Sequence, residues 1–305
     1  MKKEQVLAHL SDYVNYIAKC DLAQKTVTAY KTDLVMFARW FLDTNGKMYA
    51  PQDITTVDLR EYRHYMLNIR QLSANTINRR LASISSYLTW ANEAGMIEFN
   101  PADRIKGVRT QELAPKWLTK KEEGALLRQA EQKRQAANSD SARLRATRNW
   151  SLVVLILTTG LRSAEVCSLT LSQVEIKPRS GSLQIVGKGA KQRTVPLNKR
   201  ARTALETWLD VRPECGHDTV FVGQTKHPLA TASLRRIITD LSYHAKIEDV
   251  SPHTLRHTFG KRLVDSGVSL EKVAALMGHA NLNTTKIYTT PSQRDLEKAV
   301  KVLEY

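Results

Sequence analysis

Apolar residues recur at helical spacing through the first hundred residues, and this pattern constrains the fold more than any other feature. Four such stripes are separated by turn-forming or capping residues, among them Asn45-Gly46, Pro51 and Ser73. Stripes of this kind predict amphipathic helices that share one core. The stripes are Leu7, Leu10, Val14 and Ile17; Val27, Tyr30, Leu34, Phe37 and Phe41; Leu59, Tyr62, Met66 and Ile69; and Ile77, Leu81, Ile84 and Leu88. The sequence therefore predicts a compact helical domain over residues 1–100.

The pattern changes after residue 100. Residues 101–116 show no helical stripe and carry basic residues, so they are predicted to form a linker that runs along a phosphate backbone or simply connects two domains. Residues 117–305 are predicted to form a second, mostly helical domain. It begins with Thr119 and Glu122, which have the spacing of a capping box.

Within the second domain, the apolar run 149–158 predicts a buried helix, and the polar stretch 132–148 before it predicts a helix extension followed by an exposed loop. Residues 183–186 and 194–197 predict two short strands, with a possible third at 219–222. The predicted fold class is therefore mainly α with a small antiparallel β-sheet. A chain of 305 residues is long enough for two such domains.

The chain is strongly basic, with 46 Lys and Arg residues against 30 Asp and Glu residues and a net charge of +16. Residues 1–110 carry +4 of this excess and the remainder carries +12. Because phosphate contacts release condensed counterions, such a balance favours a nucleic-acid partner. A basic surface that serves solubility, or an acidic membrane partner, is the alternative.

Several classes of protein are disfavoured by the sequence. Cys20, Cys167 and Cys215 are far apart and lack the spacing of a disulfide framework or a zinc site, so neither is expected. No apolar run approaches the roughly 18 residues of a transmembrane helix, and the first residues lack the apolar centre of a signal peptide. A cytoplasmic protein without a metal or other cofactor is the simplest interpretation.

Two clusters of the second domain contain basic residues beside glycine. In the segment Thr159 to Glu165, Gly160 permits a sharp turn and Arg162 follows a buried run. An arginine there suits two phosphate oxygens, although a structural Arg162–Glu165 pair explains it as well. The segment Gly187 to Arg193 lies between the two predicted strands and is either a functional hairpin or a basic surface turn. It lacks the spacing of a phosphate-binding Walker loop.

Two further clusters contain histidines. His253, Arg256 and His257 follow Ser251-Pro252, which predicts the start of a helix, so His253 and Arg256 share a face. The second is Gly278-His279, followed nine residues later by Tyr288. Each cluster alone is weak, because chance or packing explains it.

Together the four clusters contain two arginines, histidines, a lysine and a tyrosine, which suffice to cleave a phosphodiester without a metal. Arginines stabilise the charge that develops on the phosphate oxygens. A phenol of pKa about 10 needs a base to become a good nucleophile, and a histidine can take its proton. A lysine can protonate the leaving oxygen.

The ordered motifs Thr-Gly-Leu-Arg-x-x-Glu, Gly-Lys-Gly, His-x-Leu-Arg-His, Gly-His and Tyr resemble those of the tyrosine recombinases of the phage-integrase family, and the chain is most similar in style to the Xer-like members. The resemblance covers nearly the whole chain and includes Thr26, Tyr30 and Phe37 of the helical domain. It implies an N-terminal helical core-binding (SAM-like) domain and a C-terminal catalytic domain.

The resemblance also implies a role for each motif residue. Arg162 and Arg256 resemble the pair that clamps the scissile phosphate, and Tyr288 resembles the nucleophile that forms a 3′-phosphotyrosine. The remaining roles are as follows: Lys188 protonates the 5′ leaving oxygen, His253 is the general acid/base, His279 bonds to the phosphate, and Glu165 and His257 support the site. The residues expected to bind DNA are Arg79, Arg80, Arg104, Lys106, Arg109, Lys191 and Arg193.

The implied reaction stores the energy of the broken bond in the covalent link, so neither ATP nor Mg²⁺ is expected to take part. The family acts as a homotetramer on two double-stranded DNA sites, passes through a Holliday junction and exchanges a C-terminal helix between protomers. Here that helix would use Leu296, Val300 and Leu303, with docking on the same protomer as the alternative. Accessory proteins are possible partners. A type IB topoisomerase and a DNA-binding protein without catalysis remain the alternative functions.

Overall fold

The chain divides into two compact units, Met1–Glu112 and Leu113–Tyr305. The computed structural model describes residues 10–20, 22, 24–48, 50–110, 115–187, 192–279, 283–289 and 300. Lys188, Lys191, Leu296 and Leu303 lie outside the described residues. Within the described part of the chain, no helix is both long and apolar enough to cross a membrane.

The described part of the first unit contains four α-helices, as the apolar stripes predict. They are α1 (Leu10–Lys19), α2 (Gln24–Asn45), α3 (Thr56–His64), which continues into a π-helical turn (Tyr65–Ile69), and α4 (Ala74–Glu93). The Ser73 hydroxyl caps α4 by accepting a hydrogen bond from the Thr76 N–H. Leu34, Phe37, Tyr62 and Ile84 are among the residues that fill the core.

The segment after α4 differs from the predicted linker. It begins with a 3-10 turn (Pro101–Arg104), and Ile105 and Val108 pack against the core of the first unit. The Asn78 side chain accepts a hydrogen bond from the Val108 N–H at 2.7 Å and donates one to the Val108 carbonyl at 2.9 Å. Because its backbone groups and apolar side chains are satisfied locally, this segment belongs to the first unit up to at least Val108.

The second unit begins with two long helices, α5 (Lys120–Gln135) and α6 (Asp140–Thr159). Thr119 and Glu122 form the predicted capping box of α5. The helix extension predicted within 132–148 is present, since α5 runs to Gln135. The exposed loop that was predicted to follow it is wrong beyond Ser139, since Ser139 caps α6 and the helix starts nine residues before the apolar run. Gly160 ends α6 in the left-handed conformation, with φ of 65°.

A three-stranded antiparallel sheet follows a short helix, α7 (Ser163–Ser168). Its strands are β1 (Val174–Ile176), β2 (Gly181–Val186) and β3 (Gln192–Pro196), in the order β1-β2-β3. Strands β2 and β3 match the two predicted strands, but the possible third strand is wrong: residues 219–222 form only isolated bridges, Thr170 to Thr219 and Val222 to Pro228.

The remainder of the second unit is helical. The described helices are α8 (Lys199–Leu209), α9 (Thr231–His244), α10 (Pro252–Asp265), α11 (Leu270–Met277) and α12 (Asn283–Lys286). The main core surrounds α6, whose residues 152–157 are all buried. A separate small cluster contains Phe259, Val273, Met277 and Tyr288, and it attaches the C-terminal helices to α10.

Candidate active site

Arg162, the arginine of the first cluster, lies in the short connection between α6 and α7. Arg162 is the N-cap residue of α7, and its N–H donates to Glu165 Oε2 at 2.8 Å. Its guanidinium donates to Glu165 Oε1 at 3.0 Å and to the Gly278 carbonyl at 2.7 Å. The side chain is 38% exposed, so this anchored guanidinium still has a face open to a ligand.

The second arginine is supplied by α10, whose N-terminus is capped by Ser251 with Pro252 in the first turn. Arg256 is buried and donates to the carbonyls of Gly160 and Met277. Burial, together with the charge of Arg162, lowers the pKa of Arg256 to about 10. At neutral pH the guanidinium therefore stays charged, although its hydrogen-bond partners are neutral carbonyls.

Glu165 is the carboxylate that the described residues bring to these arginines. Burial raises the pKa of Glu165, but hydrogen bonds from Arg193 and from the Arg162 N–H outweigh that effect, and the net pKa is lowered. Arg193 donates to both carboxylate oxygens at 2.8 Å. Two guanidinium groups thus bond to one ionised carboxylate, whose charge also acts on the nearby Arg256. The excess positive charge of the three arginines suits a phosphate.

Tyr288 lies beside this group with its side chain fully buried. Its hydroxyl is 2.9 Å from His257 Nδ1. The ring packs so closely on α10 that a Cβ at Gly260 would lie 2.7 Å from Tyr288 Cζ. Burial raises the pKa of Tyr288 to about 12, although the charges of Arg256 and Arg162 oppose the rise. The phenol is therefore protonated at neutral pH.

Two histidines, His257 and His279, contact the tyrosine. The pKa of His257 and that of His279 are both lowered to about 4, mainly by burial and further by neighbouring positive charge. A neutral His257 can accept the hydrogen bond of the Tyr288 hydroxyl through Nδ1. His279 stacks on the Tyr288 ring with centroids 6.5 Å apart, and its Nδ1 is 2.9 Å from Thr285 Oγ1.

His253 lies one turn before His257 on α10, and the two imidazole rings are 5.7 Å apart. It is exposed, and burial of part of the ring together with Arg256 and Arg162 lowers its pKa. The family resemblance implies that His253 is the general acid/base and that His257 supports the site. In the structure the Tyr288 hydroxyl bonds to His257, and a spacing of three or four residues on a helix does not decide which ring reaches a third element.

The residues expected to bind DNA fall into three groups. Arg104, Lys106 and Arg109 are exposed in the segment that follows α4. Arg79 and Arg80 form ion pairs with the buried Asp33. Arg193 differs from the expectation, because its side chain is 14% exposed and holds Glu165 inside the site.

One part of the site was not predicted from the sequence. Consecutive carbonyls at the C-terminal end of α11 accept hydrogen bonds from three arginines. These bonds are Arg193 to Leu276 at 3.2 Å, Arg256 to Met277 at 2.8 Å and Arg162 to Gly278 at 2.7 Å. A helix C-terminus has unpaired carbonyls and a partial negative charge, which favour cations. Backbone acceptors leave no trace in side-chain patterns.

Comparisons with known proteins agree with this geometry. The model of the phage integrase family matches residues 116–294, and that of the phage integrase N-terminal SAM-like domain matches residues 10–95. Tyrosine recombinase XerC of Corynebacterium efficiens is 31% identical over 300 residues, covering 97% of this chain and 91% of the relative. Tyrosine recombinase XerD of Listeria monocytogenes is 28% identical, covering 96% and 97%.

Among solved structures, the XerH site-specific recombinase bound to palindromic difH substrate, in a post-cleavage complex, matches with a TM-score of 0.75. The match covers 92% of this chain and 80% of that chain at 24% sequence identity. This similarity supports the two-part fold described above.

Proposed function

Because the chain belongs to the phage integrase family, we propose that it is a site-specific DNA recombinase that cuts and rejoins DNA through Tyr288. The observation that carries the proposal is the Tyr288 hydroxyl, hydrogen-bonded to a neutral His257. It lies within the same group as three guanidiniums and one carboxylate. A nucleophile, a base and an anion-binding group are the parts that phosphoryl transfer requires.

In the proposed reaction the Tyr288 oxygen attacks the scissile phosphorus while the bond from phosphorus to the 5′ oxygen breaks. Arg162 and Arg256 stabilise the charge on the non-bridging oxygens, and His279 bonds to one of them. Lys188 protonates the departing 5′ oxygen. Since one phosphodiester is exchanged for another, the 5′ hydroxyl of a different strand reverses the step and rejoins the DNA.

The tyrosine proton requires an acceptor, since a phenol with a pKa of about 12 is a poor nucleophile. We infer that His257 holds the hydroxyl in the DNA-free protein and that the exposed His253 takes the proton once DNA is bound. Because the Tyr288 side chain is fully buried, cleavage also requires a rearrangement that brings its oxygen to the phosphate.

The assembly that we propose is a homotetramer on two double-stranded DNA sites, with a Holliday junction as the intermediate and a C-terminal helix exchanged between protomers. Val300, the described residue of that segment's apolar stripe, is 62% exposed, which leaves it available to another surface. Exposed Arg104, Lys106 and Arg109 supply phosphate contacts.

The test is formation of a covalent adduct. Duplexes that bind the full-length protein are selected from a random pool, nicked near the centre and incubated with protein in EDTA. We expect an adduct that survives a denaturing gel with the unmodified protein and no adduct with Tyr288→Phe, which still binds the duplex. Binding without any adduct would contradict the proposal, as would an adduct formed by Tyr288→Phe.

A further inference from the structure

Arg193 is the last residue of the Gly187 to Arg193 cluster, but it lies outside the Gly-Lys-Gly motif on which the family resemblance rests. It lies on β3, and both of its terminal nitrogens donate to the Glu165 carboxylate of α7 at 2.8 Å. Its Nε donates to the Leu276 carbonyl of α11 at 3.2 Å. One planar side chain therefore joins three elements that are far apart in sequence: the edge of the sheet, the helix that follows Arg162 and the helix that precedes His279.

The geometry gives the Glu165 carboxylate little freedom. Oε1 accepts from Arg162 Nη1 and Arg193 Nη1, and Oε2 accepts from the Arg162 N–H and Arg193 Nη2. A bidentate pair fixes the plane of a carboxylate as well as its position. Arg193 supplies two of the four hydrogen bonds that hold the carboxylate to which Arg162 Nη1 donates, so its loss would loosen one of the two anchors of the Arg162 guanidinium.

The same side chain also reaches the other half of the site. Leu276, Met277 and Gly278 offer consecutive carbonyls to Arg193, Arg256 and Arg162. His279 follows directly, and its own N–H is held by the Ala274 carbonyl at 3.0 Å. A displacement of the α11 end would therefore move the anchors of both clamp arginines and the His279 ring together.

We propose that Arg193 is a positioning residue of the recombination reaction, which locks the phosphate-binding arginines to β3 and to the end of α11 without itself touching DNA. The inference rests on the proposed function for its catalytic consequence. Arg193 follows Lys188 by five residues, so the strand that leaves the lysine segment is tied directly to the phosphate clamp. Lysine cannot replace arginine here, because it offers one point charge instead of a planar fork.

The experiment compares Arg193→Met and Arg193→Lys with the unmodified full-length protein. On the selected nicked duplex at saturating protein, we expect the rate of adduct formation to fall by about 100-fold for Arg193→Met, since small misplacements of reacting groups cost this much. Arg193→Lys should recover only part of the loss. The affinity for the duplex, and its dependence on salt, should stay close to those of the unmodified protein.

The matched control is Arg202→Met, which removes another half-buried arginine of the same unit whose guanidinium donates to the Leu197 carbonyl at 3.1 Å. It should leave the adduct rate unchanged. An Arg193→Met variant with a normal saturated rate but weaker, less salt-dependent binding would overturn the proposal and make Arg193 a DNA contact. An equal loss of rate in Arg202→Met would also overturn the proposal, because it would show that the loss in Arg193→Met comes from general destabilisation.

A second readout does not depend on activity. In the free protein, hydrogen exchange followed by mass spectrometry should show faster exchange for peptides that cover residues 162–168 and 274–279 in Arg193→Met, with residues 152–157 unchanged. Unchanged exchange at both sites would overturn the positioning role even if the unmodified protein forms no adduct. Failure of the adduct in the unmodified protein would count against the proposed function alone.

Discussion

Each unit of the molecule buries one carboxylate between two arginines, and the two arrangements differ in what they join. In the first unit Asp33 of α2 is 1% exposed, and it pairs with Arg79 and Arg80, adjacent residues of α4. In the second unit Glu165 is 8% exposed and pairs with Arg162 and Arg193, which come from different elements.

The comparison distinguishes a group that stabilises helix packing from a group that belongs to the candidate active site. The Asp33 group links two helices that already share an apolar core, and the Ser83 hydroxyl adds a bond to it at 3.0 Å. The Glu165 group links the start of α7, the strand β3 and the end of α11, next to the buried Tyr288. Because a buried carboxylate is costly without partners, both groups need their arginines, but only the second group orients residues proposed to react.

The largest expected effect tests the Glu165 group. Glu165→Gln keeps the size of the side chain but removes the charge that holds Arg162 and Arg193. We expect the saturated rate of adduct formation to fall by about 10²–10³-fold, the range found when one donor of a preorganised site is lost. Quench-flow measurement on the nicked duplex checks it. A rate within a few-fold of that of the unmodified protein would show that Glu165, like Asp33, does not contribute to the reaction.

The matching change in the first unit is Asp33→Asn, which should act on stability instead. The change removes the charge that pairs with Arg79, whose side chain is 45% exposed, and with Arg80. Because solvent screens the arginines that remain, we expect a loss of about 1–3 kcal/mol of unfolding free energy, which urea unfolding should show as an earlier loss of the first unit. At concentrations where the variant is folded, its saturated adduct rate should match that of the unmodified protein. A large loss of rate in the folded variant would abolish the distinction between the two groups.

Local patterns predicted the first unit well and the site of the second unit in part. Helix stripes and caps such as Ser73 depend on neighbours in sequence, so they could be predicted. The third strand could not, because Val174–Ile176 is selected by pairing with Gly181–Leu183 and not by its own composition. Four of the six proposed catalytic side chains, those of Arg162, Arg256, His279 and Tyr288, share hydrogen bonds or ring contacts within one group. The orientation of His257 and the role of Arg193 depend on α11 and α12, which lie far along the chain.

Lowering the pH is expected to have a smaller effect, on the stability of the second unit, and this effect also distinguishes the two units. His257 and His279 have pKa values lowered to about 4, so the folded second unit keeps them neutral while the unfolded chain protonates them near pH 6.5. Their contribution to stability is complete above that pH and is lost as the pH falls towards 4.

After allowance for residual solvent exposure, we expect the second unit to lose about 1–2 kcal/mol of unfolding free energy between pH 7 and pH 5. Urea titrations at several pH values measure it, and His257→Gln should make the dependence shallower. A flat dependence for the unmodified protein would contradict the buried, neutral histidines.

The smallest effect concerns the exposed basic residues after α4. Arg109→Ala should weaken DNA binding modestly and lower the slope of log affinity against log salt by about 0.9, the value for one phosphate contact. Fluorescence anisotropy at several salt concentrations measures the slope. Arg143→Ala removes another exposed arginine, in α6, and serves as the control. If both variants keep the original slope, the segment after α4 does not contact the backbone.

The central claim is that Tyr288 is the residue that becomes joined to DNA. Its most direct test is to trap the adduct on a nicked duplex in EDTA, digest both protein and DNA, and locate the nucleotide by mass spectrometry. The account predicts a nucleotide joined through its 3′ phosphate to the peptide that contains Tyr288. A nucleotide on any other residue, or a normal yield of adduct from Tyr288→Phe, would contradict it.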